Sequence, residues 1–366
     1  VRSEILRMAP DNRDWLTGVM PETQGRWREI QRFHPQLVVD AHEMGALDTY
    51  LFYPRAAPTH PSFPATADKW HDAFARDQAD AFDAHGWPYY TREWADGWYP
   101  GYSDGWAELR GAVGILYEQA RSTGMSVKRP SGQVMPYRDT VLHQAVSSLA
   151  NLRTAARNRE ALLRDFASYH RASLGDPRVF AVATGRVPDR ERRLVLTLLR
   201  QGVEVSTATA AFSARGIAAP GDPAQARTFP AGTILVAAGQ PLGGLVKALL
   251  EFDPHMADTF LREEREKLER EGRSKLYDIS AWNLGMAWGL DAWWLDATGV
   301  ARTPVTAIDE PPVGIAAAPG VAVGWIVDGR LDGSLGFAVA ALERGLEVYV
   351  ADKDFTAAGT RFARGA

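Results

Sequence analysis

No cysteine occurs among the 366 residues, and this absence narrows what the chain can fold into more than any motif does. Disulfides, thiolate metal sites and cysteine nucleophiles are excluded. The fold must be held by buried apolar surface, and a bound metal would rely on histidine and carboxylate ligands. Material for a core is present, with 46% of the residues hydrophobic and 12 of them tryptophan. At this length two domains of ordinary size are expected. The 41 basic and 45 acidic residues, a net charge of -4, are interspersed and leave no basic face for nucleic acid or an anionic membrane. Nucleic acid is therefore not an expected partner. No uncharged apolar run reaches the roughly 18 residues of a membrane-spanning helix, and the longest candidate, 280–294, is cut by glycine and aspartate.

Along the first half the pattern alternates. A helix is predicted over 22–34, a strand over 37–40, a proline-rich loop over 53–64 and a second helix over 67–84. The glycine- and aromatic-rich loop "GWYPGYSDGW" (97–106) precedes "GAVGILYEQA" (111–120), which reads as a buried strand ending in a charge, and two helices are predicted between 138 and 172. The link "SLGDP" (173–177) breaks the helix before a new apolar strand at 179–184 and marks a domain boundary, giving expected domains of 1–172 and 176–366. Beyond it, a strand–helix–strand pattern predicts a parallel α/β layer. Within that layer "LLRQGVEVSTATAAF" (198–212) repeats as "ALERGLEVYVADKDF" (341–355), each copy a helix end, a glycine and a strand. The overall expectation is an α/β protein, with a mixed sheet flanked by helices followed by the parallel layer.

The chemistry begins at "VVDAHEMG" (38–45), where a β-branched run ends in Asp-x-His-Glu. Taken alone, His42 is either a hydrogen-bonded core histidine or one arm of a metal site. Glu118 closes an apolar strand, where burial would raise its pKa toward the range of a general base, unless a neighbouring arginine pairs with it. In "DNRDW" (11–15), Arg13 offers a planar fork suited to a carboxylate and Asn12 can add a further hydrogen bond, although the pair equally suits a surface loop. Tyr99 and Tyr102 lie in a glycine-flanked loop able to swing over a pocket, or simply pack there.

The order and spacing of these segments, with "PETQGRWREIQRFHPQLVVDAHEMG" and "GWYPGYSDGWAELRGAVGILYEQA" around them, resemble the zinc metallocarboxypeptidases of the carboxypeptidase A family, in particular the large bacterial members. The resemblance covers residues 10–172. It implies that His42 is a zinc ligand, that Asn12 and Arg13 grip the terminal carboxylate of a peptide, and that Glu118 is the general base and acid acting on a zinc-bound water. The loop tyrosine of the family corresponds to Tyr99, with Tyr102 the alternative. Asp104 falls near the side-chain pocket, where it would favour a basic terminal residue. Zinc is the implied cofactor, the C-termini of peptides and proteins are the implied partners, and a secreted or periplasmic location follows from the family alone.

One departure cuts against this. The family takes two further zinc ligands from an upstream His-x-x-Glu motif, and none of His34, His42, His60, His71, His85, His143, His170 or His255 is followed by glutamate three residues later. The chain begins on Val1 and ends on "RFARGA", and it is expected to be a fragment cut at both ends, with an incomplete and inactive zinc site. The alternative is a metal-free pseudoenzyme that binds peptide C-termini. Residues 176–366 resemble the class I glutamine amidotransferase-like domain that follows the peptidase in the large members. Without a cysteine nucleophile, an accessory role is expected there. "AAGQPLGGLVKALLE" (237–251) is expected to be a turn whose glycines serve packing, with an anion cradle as the alternative. Residues 259–272 read as a charged, solvated helix, and 277–294, dense in tryptophan, as interface or core.

Overall fold

The computed structural model of the chain describes residues 13–122, 124–274, 276, 281–296, 299–308, 324–357 and 359–366. Asn12 lies outside them, as do parts of the 277–294 segment. The described residues form a mixed α/β protein that divides into two compact units. The first comprises residues 1–176 together with 238–283, and the second 177–237 together with 284–366. The chain thus leaves the first unit beside the Gly-Asp-Pro link and returns to it for one further segment.

In the first unit, helix α1 (Pro21–Phe33) leads into strand β1 (Leu37–Met44), and strands β2 (Tyr50–Phe52) and β3 (Ala56–Thr59) follow. Helix α2 (Ala67–Asp83), strand β4 (Asp96–Gly97) and the short helix α3 (Ser103–Glu108) precede β5 (Val113–Ala120). A hairpin of β6 (Ser126–Lys128) and β7 (Val134–Pro136) then opens helix α4 (Tyr137–Ser173). The three-stranded sheet has the order β1-β5-β2, with β1 parallel and β2 antiparallel to β5. The central strand β5 is buried or half-buried along its whole length, as a position between two strands requires. Helix α2 buries Trp70, Phe74, Gln78 and Phe82 at four-residue spacing, one stripe facing the core. Tyr50, Phe52, Phe74, Phe82, Ile115 and Tyr117 form its centre.

The two helices expected between 138 and 172 are one helix of 37 residues. No glycine or proline interrupts 137–173, so nothing in that stretch breaks the backbone ladder. It buries Thr140, His143, Ser147, Ala150 and Thr154, a three- and four-residue stripe on one face. His143 Nδ1 lies 2.9 Å from Gln119 Oε1, and Asn151 donates to the Tyr117 hydroxyl.

The second unit contains β8 (Val179–Val182), α5 (Pro188–Arg200), β9 (Val205–Ala208), β10 (Phe212–Ile217), β11 (Gln225–Phe229) and β12 (Ile234–Ala237). Helices α6 (Gly243–Leu250) and α7 (Asp258–Glu271) belong to the returning segment of the first unit. The second unit resumes with the short helix α8 (Leu284–Ala287), β13 (Ala292–Leu295), β14 (Arg302–Val305) and α9 (Gly333–Glu343). Its seven-stranded sheet has the order β11-β10-β13-β8-β12-β9-β14, and every described pairing is antiparallel. The expected parallel layer is therefore corrected. Strands β8 and β9 run in the same direction on either side of α5, but β12 lies between them and is antiparallel to both. A strand–helix–strand pattern shows the crossover and is silent about a later strand inserted into its gap.

The internal repeat is matched by structure only in its helix. The strand of the first copy, β9, sits between β12 and β14, whereas 346–350 of the second copy form no regular strand, with Tyr349 and Val350 exposed. A β-branched run becomes a strand only where a neighbour accepts its hydrogen bonds.

Candidate functional site

The parallel pairing of β1 with β5 sets His42 directly opposite Glu118, so the two side chains stand on the same face of the sheet. Asp40, two residues before His42, shares that face. Its Oδ2 lies 2.6 Å from His42 Nε2 and also accepts the hydroxyl proton of Ser103 at the start of α3. Helix α3 is brought close by Gly114 of β5, where an added Cβ would fall 2.1 Å from the Asp104 carbonyl oxygen.

The electrostatics follow from this packing. The hydrogen bond to Asp40 raises the pKa of His42 against the opposing effect of burial, with the charges of Asp40, Glu118 and Asp104 adding to it. Burial works against ionisation of Asp40, but His42, Ser103 and the charge of Arg26 outweigh it, and its pKa is lowered. Glu118 has no such donor: its Oε2 is buried without a hydrogen-bond partner. Burial pushes its carboxyl up to about 7, with the His42 charge opposing and the Asp40 charge reinforcing the shift. A carboxyl that gains and loses a proton near neutrality is suited to general acid–base work.

A second cluster gathers around the 97–102 loop. The Tyr99 hydroxyl donates to the Arg13 carbonyl oxygen over 3.0 Å, and its ring meets Tyr102 edge-on at 5.1 Å. The Arg13 guanidinium carbon lies 5.4 Å from the Tyr102 ring centroid. Gly101 permits the close turn, since a Cβ there would lie 2.2 Å from the Tyr99 ring. The Trp15 amide donates to the Gly101 carbonyl at 3.3 Å, tying the segment after Arg13 to this loop. Trp282, from the returning segment, packs 5.8 Å from Tyr99 and 5.7 Å from both Trp98 and His60, its indole N–H donating to the Ala248 carbonyl at 2.7 Å.

Asp104 reaches the first cluster through its charge alone. It is buried and accepts a hydrogen bond from the Tyr53 hydroxyl, and burial raises its pKa. Behind it, Glu108 is held by Arg55 at 2.5 Å and lies 2.7 Å from His71 Nε2, all three buried. Asp104 is thus turned into an interior polar network.

A cleft of about 520 Å³ opens along β1, lined by Trp15, Arg26, Val38, Val39, Asp40, Ala41, His42 and Ser103. Sequence reasoning assigned no role to Asp40, Ser103 or Arg26. Asp40 had a legible signal, because i and i+2 share a strand face. The contributions of Ser103 and Arg26 depend on tertiary approach alone. Ser103 donates to Asp40 and not to His42, so the three do not form a serine–histidine–aspartate relay.

A zinc ion at His42 would need further protein ligands beside it. Among the described residues no group of three or more histidine, aspartate or glutamate side chains could hold a metal ion, and His42 Nε2 is engaged by Asp40. A single imidazole does not make a zinc site, so the described residues do not fit the ion by themselves. The glycines of 237–251 serve close packing: a Cβ on Gly244 would lie 1.8 Å from the Tyr169 hydroxyl and one on Gly243 2.2 Å from the Ala238 carbonyl oxygen. No family model, curated protein or solved structure matches the chain.

Proposed function

We propose that the chain carries the substrate-binding and proton-transfer part of a zinc carboxypeptidase site that acts on the C-termini of peptides and proteins. The observation that carries this reading is the opposition of His42 and Glu118 across β1 and β5, with Glu118 poised near neutrality. In this reading Arg13 receives the terminal carboxylate through its two-pronged fork, joined by Asn12. Tyr99 and Tyr102 close the same end of the site. Glu118, ionised above about pH 7, takes a proton from the attacking water and returns it to the leaving amine. His42 would supply one zinc ligand, and among the described residues no further ligands are grouped with it. Asp104, which would favour a basic terminal residue, is buried and held by Tyr53. Action outside the cell belongs to the same proposal.

A second reading, a metal-free module that binds peptide ends, is favoured by the capture of His42 Nε2 by Asp40. Zinc retained per chain after loading and buffer exchange, measured on the wild type and on His42→Ala, separates the two. From the described residues alone, no tightly held zinc and no trimming of peptides are expected, with peptide ends still bound. Zinc near one per chain that His42→Ala abolishes, together with trimming that Glu118→Gln abolishes, would show that residues outside those described complete the site. Failure to bind peptide ends would overturn both readings.

A further inference from the structure

Arg26 and Asp40 both line the cleft, and their charges attract without direct pairing: Asp40 is held by His42 and Ser103, and Arg26 makes no ion pair or hydrogen bond among the described residues. Arg26 lies 5.9 Å from the Trp15 ring centroid, over a wall that cannot easily shift. Trp15 packs on Trp106 at 5.2 Å and Trp106 stacks on Trp27 at 6.1 Å, all three buried. Gly18, at φ 57°, lets the chain pass over Trp27, where a Cβ would fall 2.1 Å from the indole ring. Residues 38–42 of β1 also line the cleft, and β1 is paired with β5 on one edge and with no strand on the other among the described residues, an edge of the kind that an extended chain can join.

We infer that this cleft takes an extended peptide bearing an acidic side chain, with Arg26 as the residue that selects it. The inference rests on the proposed peptide-binding reading and adds the substrate class: peptides with aspartate or glutamate at the position that reaches Arg26. Near the aromatic platform and hydrogen-bonded to no described residue, the guanidinium can offer its two-pronged donors to a carboxylate. A basic side chain, the preference that Asp104 would have conferred from a pocket, meets an arginine here and is disfavoured.

The test uses short fluorescent peptides with a free C-terminus, glutamate or glutamine being placed at each position in turn, on the whole chain and on Arg26→Gln and Arg26→Lys. Arg26 is exposed, so the variants are expected to fold, and thermal unfolding checks this. Glutamate is expected to bind roughly fivefold tighter than glutamine at one position, with the preference weakening at high salt, vanishing in Arg26→Gln and persisting in part in Arg26→Lys. Equal binding of the two peptides by the wild type, or a preference that Arg26→Gln leaves intact, overturns the inference. If free-acid peptides are still favoured over their amides in that case, the peptide-end reading survives. If they are not, both fall together.

Discussion

The chemistry of the site turns on single carboxyl groups whose surroundings differ. Asp40 has two donors and stays ionised, while Glu118 has a buried oxygen with none. The Glu118 carboxyl is therefore expected to titrate near 7, which carbon-13 NMR of side-chain carboxyls would detect; a midpoint near the ordinary 4.5 would remove it as a poised base. The linkage has a definite sign. With its folded pKa above the unfolded one, Glu118 favours the folded state at low pH, and this contribution is lost as pH rises from about 4.5 to 7. Glu118→Gln is expected to gain on the order of 1 kcal/mol over the wild type at pH 8, less than the full shift implies because the carboxyl is partly open to water. Denaturant melts at both ends of that range read the difference. Tyr53→Phe strips a buried donor from Asp104 and is expected to cost about 1–3 kcal/mol. The strand-end position of Glu118 made its raised pKa legible from sequence. The bond that holds Asp104 in the interior was not legible, because Tyr53 reaches it across 51 positions of sequence.

At the scale of elements, the site depends on how close α3 approaches β5. Gly114→Ala would press a methyl against the Asp104 backbone carbonyl and is expected to destabilise the first unit by about 1–3 kcal/mol. It should also loosen the Ser103 bond to Asp40. Faster hydrogen exchange across 103–108 than across α4 would register the effect, and unchanged exchange would contradict it. Strand β1 was visible in its β-branched start, but it runs four residues past the predicted end at 40, to Met44, because β5 supplies a partner for each of them. Polar residues that look like a strand terminus can continue the strand when its neighbour pairs with them. Helix α4 erred the other way, being divided by expectation although its sequence contains no breaker.

At the scale of the whole chain, the first unit draws on two separated stretches of sequence. The boundary near 176 was legible in Gly-Asp-Pro, but the return over 238–283 was not, because its anchors are long-range and individually ordinary. Gly244 meets Tyr169, the Pro241 carbonyl lies 2.8 Å from His170 Nδ1, and Trp282 backs Tyr99. A chain cut after Asp176 lacks all of these, and its 97–102 loop is expected to be cleaved by added protease well before α4. Equal resistance of loop and helix would show that the returning segment does not hold the loop.

In the proposed function the cluster of Arg13, Tyr99 and Tyr102 reads the end of a peptide. The equilibrium binding of one peptide, prepared as the free acid and as the C-terminal amide, measures this. The free acid is expected to bind roughly tenfold tighter, as a charge-assisted fork to arginine implies, and Arg13→Gln should erase the difference. Equal affinity for acid and amide in the wild type would show that the cluster does not read a peptide end.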